Sequence, residues 1–281
     1  MPLTDFICPD GERIKVGDCL EQCRMKERCL TIPTLIKASD AREWDGTPHV
    51  TQLISGTMQE YLKVVHDYAV DPRSMIFASL GQAHHAELDE IASEMGLPSE
   101  DMLKFFNPGI LQGRADYLEE DIDQPDPTQI SYILVDYKTW GSFKAAKALG
   151  IKRNKVAGKW MTLSVPADDK DTELQLNAYR IALESKGIKI TKMRIQATVR
   201  DGSTQISRQR GIEHPAYMIP VRRWEDSFIE SYFNIKGQML VGALNGQIPP
   251  TMCTDEERWG DTKCKFYCEG AEFWEHGTTV S

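Results

Sequence analysis

Two acidic residues and a lysine lie on a pair of predicted neighbouring strands. Asp136 and Lys138 are two positions apart on an apolar, β-branched run, so both side chains leave the same face. Burying a carboxylate and an ammonium is costly unless they are paired or bind a metal. Asp116 lies on the preceding strand, and an antiparallel hairpin can place it beside Asp136. Two buried carboxylates repel unless a divalent cation holds them, and Mg²⁺ and Mn²⁺ prefer oxygen ligands. The alternative is a surface ion pair with an unrelated acid upstream.

Two further features fit the same site. His85 lies at the start of a predicted helix, four residues after Gly81, although a histidine there is more often a core or surface residue. Gln175 and Tyr179 are an i,i+4 pair on one face of another predicted helix, where they can contact a phosphate or fix the lysine. Each feature alone is a weak signal, and their order along the chain makes them specific.

In that order, the features resemble the RecB-type branch of the PD-(D/E)XK nuclease superfamily. That branch carries a helical His after a Gly, then G-x-x-D, D/E-x-K and Q-x-x-x-Y. The corresponding residues here are Gly81…His85, Gly113-Arg-Ala-Asp116, Asp136-Tyr-Lys138 and Gln175-Leu-Asn-Ala-Tyr179, and the resemblance covers residues 80–200.

The resemblance implies an α/β, restriction-endonuclease-like core and a metal-dependent DNA exonuclease. In that family pattern, His85, Asp116 and Asp136 hold one or two Mg²⁺ or Mn²⁺ ions. Lys138 orients or deprotonates a water molecule, or stabilises the charge on the phosphate. The implied catalytic residues are Asp116, Asp136, Lys138, Gln175 and Tyr179.

The seven cysteines lie near the two ends of the chain, as Cys8, Cys19, Cys23 and Cys29 and as Cys253, Cys264 and Cys268. Both clusters share the spacing C-x10-C-x3-C. An odd number of cysteines without a secretion signal fits thiolate–metal ligation better than disulfides. The alternative is that the thiols are buried or free.

Two accounts of the cysteines stay open. A subset of the same nuclease branch, including the CRISPR-associated RecB-like exonucleases and AddB-type nucleases, is similar in flanking its core with cysteines. That resemblance implies a [4Fe–4S] cluster held by one N-terminal cysteine and the C-terminal trio. Alternatively, the four N-terminal cysteines bind their own Zn²⁺, and the trio recruits His276 for another.

One stretch of the acidic chain is basic. Residues 141–160 contain no acid and lie between the Asp136 strand and the Gln175 helix, so we expect them to project close to the active site. They predict a salt-sensitive clamp for the DNA backbone, although a solvated basic loop is the alternative. The predicted DNA-binding residues are Lys144, Lys147, Lys152, Arg153, Lys155 and Lys159.

The surrounding pattern predicts an α/β fold with a small mixed sheet flanked by helices. Helical spacing begins at Thr51, and further helices are predicted over 80–95, from Pro98 with Ser99 as its cap, over 172–186, and over 224–245. Strands are predicted on either side of a solvated loop at 119–128, and at 190–200 and 216–221. The predicted organisation is a Cys-rich arm (1–34), a nuclease core (35–250) and a Cys-rich segment packing with the arm (251–281).

Composition limits the remaining classes. The chain has 281 residues and a formal charge of −9, which excludes a uniformly basic nucleic-acid binder. No apolar run approaches the ~20 residues that span a bilayer, and the N-terminus lacks the apolar region of a signal peptide. We therefore expect a cytoplasmic protein. The nuclease resemblance implies a prokaryotic or phage-infected cell, with DNA and recombination, CRISPR or phage proteins as partners.

Other functions compete with the exonuclease. They are a catalytically silent DNA-binding or scaffold protein of the same fold, a structure-specific endonuclease, and a Cys-rich interaction module whose core acids merely pair.

Overall fold

The computed structural model describes residues 3–97, 99–104, 111–123, 130–156 and 159–280. Its strands and helices are, in chain order, β1 Leu3–Ile7, β2 Arg13–Lys15, α1 Val16–Glu21, α2 Ile32–Ser39, α3 Val50–Ser55, α4 Thr57–Val65, β3 Tyr68–Val70, α5 Ile76–Glu94, β4 Ser99–Lys104, β5 Gln112–Glu120, β6 Tyr132–Trp140, α6 Ser142–Ala148, β7 Ile151–Val156, β8 Lys159–Ser164, α7 Lys170–Ser185, β9 Ile190–Val199, α8 Gln205–Gln209, β10 Ala216–Pro220, α9 Asp226–Leu244, α10 Thr262–Phe266 and α11 Glu275–Val280.

These elements fall into two compact units. Unit 1 comprises residues 3–80, 111–112 and 231–280, and unit 2 comprises the described residues of 81–104 and 113–230. Unit 1 holds all the cysteines, and unit 2 holds every residue of the predicted catalytic constellation.

Unit 2 is built on a mixed sheet with the strand order β10-β9-β6-β5-β4. Strand β6 runs parallel to β9 and antiparallel to β5, and β9 runs antiparallel to β10. The apolar run Ile133–Val135 of β6 is buried at the centre of this sheet. The observed class is therefore mixed α/β, with small mixed sheets flanked by helices, as the sequence predicted.

Helices cover both faces of this sheet. Side chains alternate along β6, so Asp136 and Lys138 face one side and Thr139 faces the other. Gln175 of α7 reaches Asp136 on the first side. On the second side, α5 passes over Thr139 so closely that a Cβ on Gly81 would lie 3.9 Å from the threonine Cβ. Helices α5 and α7 can therefore deliver side chains to β6 from opposite faces.

Several predicted elements are confirmed. The strands predicted at 190–200 and 216–221 are β9 and β10, and the strands flanking the loop are β5 and β6. Helix α7 stops where Gly187 adopts a φ of +84° and donates its N–H to the Glu184 carbonyl oxygen. Residues 124–129 of the predicted loop lie outside the described residues.

Two predicted elements differ from the structure. The segment after Pro98, itself outside the described residues, forms strand β4 instead of a helix capped by Ser99. It adds to the edge of the sheet beside β5, where backbone pairing outweighs a weak local helix signal. The helical pattern from Thr51 is divided into α3 and α4 at Gly56, which has a φ of +118°, and Tyr68 belongs to strand β3.

The basic stretch also has more structure than a loop. Residues 142–148 form α6, and β7 and β8 form a separate antiparallel hairpin. Alanines of α6 pack against β9 and β10, so this basic helix is anchored on the sheet of unit 2.

Unit 1 contains a three-stranded sheet in the order β2-β1-β3. Leu3 and Phe6 of β1 pack with Leu35 of α2 and with Tyr68 and Val70 of β3. The C-terminal segment joins the same unit, where Glu272 pairs with Arg13 at 3.0 Å. None of the helices in the described part of the chain is long and apolar enough to cross a membrane.

Candidate active site

The candidate site lies where strands β5 and β6 separate. Their antiparallel pairing includes Tyr117↔Val135, a register that places Asp116 opposite Asp136 as the hairpin predicted. At this position, Asp116 Oδ2 accepts a hydrogen bond of 2.7 Å from the backbone N–H of Tyr137. The Asp116 carboxylate thus takes the place of a backbone carbonyl as the partner of the Tyr137 N–H. Asp136, which carries the second carboxylate, immediately precedes Tyr137 on β6.

His85 approaches Asp116 from helix α5. Its Nδ1 lies 3.3 Å from Asp116 Oδ2, and its imidazole is partly accessible to solvent. The hydrogen bond with Asp116 raises the pKa of His85 above its ordinary value, and burial opposes this effect only in part. The imidazole also makes an edge contact with the Tyr137 ring, with centroids 6.0 Å apart. These contacts fix the ring beside the carboxylate.

Asp136 and Lys138 form a buried ion pair. Lys138 Nζ lies 2.5 Å from Asp136 Oδ2, and the carboxylate is only 1 % exposed. Burial raises the pKa of Asp136 to about 6, and the negative charge of Asp116 adds to the rise against the opposing effect of Lys138. Burial alone lowers the pKa of Lys138, but the charges of Asp136 and Asp116 outweigh it, so the pKa lies above its ordinary value. Lys138 is therefore a cation at neutral pH.

Gln175 and Tyr179 complete the site from helix α7. The Gln175 amide donates to Asp136 Oδ1 at 3.4 Å and to the Tyr179 hydroxyl at 3.1 Å. Burial and the charge of Asp136 raise the pKa of Tyr179, so its hydroxyl stays protonated. The i,i+4 pair predicted from the sequence thus contacts the buried carboxylate.

No group of three or more His, Cys, Asp or Glu side chains within the described residues is arranged so that it could hold a metal ion. The donors nevertheless suit a hard cation in kind, because His85, Asp116 and Asp136 offer one imidazole and two carboxylates. Asp136 Oδ2 is buried and has no partner with hydrogen-bond geometry among the described residues, although Lys138 lies close to it. A cation bound here would satisfy that oxygen.

The predicted DNA-binding residues do not form one free basic surface. Lys144 pairs with Asp169, and Lys147 pairs with Asp168 at 2.6 Å. The Arg153 guanidinium donates to the backbone carbonyl of Arg208. Lys152 is exposed on β7. Lys155 and Lys159 occupy positions in the β7–β8 hairpin, and their side chains lie outside the described part of the chain.

Asp168 and Asp169 are the residues that sequence reasoning missed. They follow the basic stretch and precede α7, and their pairing with α6 neutralises two of its lysines. Asp169 is 7 % exposed, and Thr172 Oγ1 donates to its Oδ1 at 2.9 Å. The run Asp168-Asp169-Lys170-Asp171 was the available signal, because an acidic cluster close in sequence to a basic one often pairs with it.

The cysteines form two separate sets in unit 1, and none is in a disulfide. Cys253, Cys264 and Cys268 line one small cavity together with Gln59 and Trp274. The residues described as lining this cavity include neither His276 nor an N-terminal cysteine. His276 instead contacts Asp261, with Nε2 2.9 Å from Oδ1. Metal ligation by either set stays a prediction.

Comparison with known proteins places no family name on the chain. No protein-family model matches it, and no curated protein matches it at a significant level. A solved structure described as "Crystal structure of SSO0001" is similar over 86 % of this chain and 92 % of that one, with 14 % identity and a TM-score of 0.44. That likeness is too distant to carry an argument about function.

Proposed function

We propose that this chain is a divalent-metal-dependent deoxyribonuclease with a restriction-endonuclease-like core, and that it hydrolyses phosphodiester bonds from DNA ends. The observation that supports this proposal is a continuous set of contacts among side chains from four elements. His85 of α5 contacts Asp116 of β5, and Asp116 accepts the backbone N–H of Tyr137 on β6. Gln175 of α7 contacts Asp136 of the adjacent Asp136–Lys138 pair.

The metal ligands of the proposed enzyme are His85, Asp116 and Asp136. When bound, Mg²⁺ or Mn²⁺ neutralises charge on the scissile phosphate and makes a coordinated water more acidic. Asp136 must be ionised to act as a ligand, and His85 must be neutral. The raised pKa values of both groups therefore tie binding to proton release.

Lys138 has an electrostatic role in this proposal. Its raised pKa keeps the ammonium charged, which suits it to stabilise negative charge on the phosphate better than to remove a proton from water. The ion pair with Asp136 holds the ammonium at the site before substrate arrives. Asp136 would be one of the residues that hold the cation, and Lys138 would then be available to the phosphate.

Gln175 and Tyr179 act as positioning residues. The Gln175 amide holds Asp136 Oδ1, and the Tyr179 hydroxyl accepts a second hydrogen bond from the same amide. These two hydrogen bonds limit rotation of the Asp136 carboxylate, so that its other oxygen stays directed toward Lys138.

Cleavage of end-labelled linear DNA and covalently closed DNA in Mn²⁺ tests the proposal. We expect the linear substrate to be degraded from its ends, and we expect Lys138→Ala to abolish cleavage. Lys186→Ala is a matched control, because Lys186 is exposed at the end of α7 in the same unit and should retain full activity. Attack on closed DNA would make the protein an endonuclease. Metal-dependent DNA binding without cleavage would favour the silent scaffold, and full activity of Lys138→Ala would refute the assigned site.

The proposed cellular role is a separate part of the proposal. A nuclease that acts on DNA ends serves recombination, repair or the processing of phage and CRISPR DNA, and its protein partners belong to those processes. This part of the proposal is supported by the resemblance of the motifs alone.

A further inference from the structure

Helix α6 covers the same face of the unit 2 sheet as the candidate site. Strands β6 and β9 run parallel, with Asp136 opposite Ile195. Lys138 lies opposite Ala197 in the same register. Residues opposite each other on neighbouring strands point to the same face, and on that face Ile195 and Ala197 pack with Ala148 of α6. The outer surface of α6 therefore lies beside the Asp136–Lys138 pair.

Helix α6 exposes an aromatic side chain to solvent. Phe143 is 64 % exposed. It follows Lys138 by five positions, so the two Cα atoms are separated by at most roughly 18 Å. Single exposed apolar residues are common on protein surfaces, so the surroundings of this ring decide whether it has a role.

Three side chains fix the position of the Phe143 ring. The guanidinium of Arg210 lies 5.9 Å from the ring centroid, within the range of cation–π contacts. The same guanidinium donates to Ser142 Oγ at 2.9 Å and lies 3.7 Å from Asp201 Oδ2. Asp201 in turn accepts two hydrogen bonds of 2.6 Å, from the backbone N–H and from the hydroxyl of Ser142. The exposed ring is therefore held beside a fixed cation.

Further basic side chains lie near this ring. Arg200 approaches the start of α6, since a Cβ on Gly141 would lie 3.8 Å from one of its guanidinium nitrogens. Arg208 of α8 and Lys152 of β7 are exposed. Arg153 donates to the Arg208 carbonyl oxygen, which places the β7–β8 hairpin beside α8. An accessible aromatic ring among cations suits a nucleic-acid strand, because bases stack on the ring while phosphates pair with the cations.

We propose that Phe143, held by Arg210, stacks on an unpaired base at the end of the DNA that enters the candidate site. This inference rests on the proposed nuclease function, which brings DNA ends to this face of the sheet. Bases inside a duplex are stacked on both sides, so only a terminal or unpaired base offers a face to the ring. The contact therefore favours ends over internal positions, as cleavage from DNA ends requires.

Binding of DNA without cleavage tests this contact. Fluorescence anisotropy in EDTA compares a labelled duplex that carries a short unpaired overhang with the same duplex whose overhang is abasic. One pair of probes has the overhang at a 5′ end and another pair has it at a 3′ end. We expect the wild type to bind the overhang with bases at least about fivefold more tightly than the abasic one, for at least one of the two ends.

Two substitutions of the same residue separate stacking from simple apolar contact. Phe143→Leu should lose the preference for bases, because leucine keeps an apolar side chain but has no ring. Phe143→Tyr is the matched control and should keep the preference, because it retains the ring. Both variants change an exposed side chain and should melt at the temperature of the wild type.

The outcomes distinguish this contact from the nuclease itself. Equal binding of both overhangs by the wild type at both ends would overturn the proposal, as would a preference that Phe143→Leu retains. Neither result bears on cleavage, which depends on the Asp136–Lys138 pair and is measured separately in Mn²⁺. A base preference that needs the ring, in a protein that does not cleave DNA, would keep the contact and refute the nuclease. A protein that binds none of the probes would refute both.

Discussion

The binding of Mn²⁺ to the candidate site should weaken as the pH falls, chiefly through Asp136. Its carboxyl group is 1 % exposed and has a pKa of about 6. At that pKa the group is roughly 90 % ionised at about pH 7 and roughly 10 % ionised at about pH 5. Because only the ionised form is a ligand, we expect the apparent affinity for Mn²⁺ to fall about tenfold over this range. With the ordinary pKa of 3.8, the ionised fraction of Asp136 would fall by only about 6 % between the two pH values.

His85 adds to this effect and must be separated from it. Its pKa lies above its ordinary value because Asp116 accepts its hydrogen bond, so acidification also protonates this ligand. The variant His85→Gln removes that titration and should bind more weakly at every pH. The change in Mn²⁺ affinity with pH that remains in His85→Gln, still about tenfold, is due to Asp136. The wild type should show a steeper loss than the variant.

Titration of the DNA-free protein with Mn²⁺, followed by electron paramagnetic resonance, measures the affinity directly. Circular dichroism at each pH establishes that the protein stays folded. An affinity of His85→Gln that changes less than about twofold between the two pH values would show that Asp136 is already ionised in acid. The reasoning from burial would then be wrong.

Three further predictions address Lys138, the buried acid and the basic stretch of residues 141–160. Lys138→Ala should reduce cleavage at least about hundredfold while the protein stays folded, measured by DNA cleavage and thermal melting. In the absence of metal, the free energy of unfolding should fall by up to about 3 kcal/mol as the pH rises from about 4 to about 6. The reason is the raised pKa of Asp136, because the folded state keeps a proton there that the unfolded chain releases. Urea denaturation at each pH measures this, and Asp136→Asn should flatten the dependence. Asp168→Asn should strengthen DNA binding by releasing Lys147, whereas Lys152→Glu should weaken it and reduce the salt slope by about 1, both measured by fluorescence anisotropy at several salt concentrations.

The parts of the fold that local patterns specify were predictable. Strand β6 carries a continuous apolar run that includes β-branched residues, and helix α7 ends at a glycine that leaves the helical conformation, so both were located from the sequence. The hairpin of β5 and β6 then fixed the register that sets Asp116 against Asp136. The placement of these two residues of the candidate site follows from these local signals.

The remaining features depend on contacts distant in the chain. Strand β4 forms because β5 offers a sheet edge, which the residues after Pro98 do not reveal. The pairing of Lys144 with Asp169 depends on how α6 packs against the start of α7, so a stretch without acids looked more basic than the folded surface is. Charge counted along the sequence therefore overstated the charge available to DNA.

The division of the chain between the two units determines the order in which they can form during synthesis. All of unit 2 lies within residues 81–230, so its sheet can close as soon as that stretch has left the ribosome. Unit 1 needs residues 231–280 to join residues 3–80, and the ion pair of Arg13 with Glu272 spans almost the whole chain. The N-terminal apolar surface and its cysteines must therefore wait, incompletely covered, until translation is nearly finished. We expect premature termination near residue 230 to leave a complete unit 2 attached to an incompletely covered N-terminal segment.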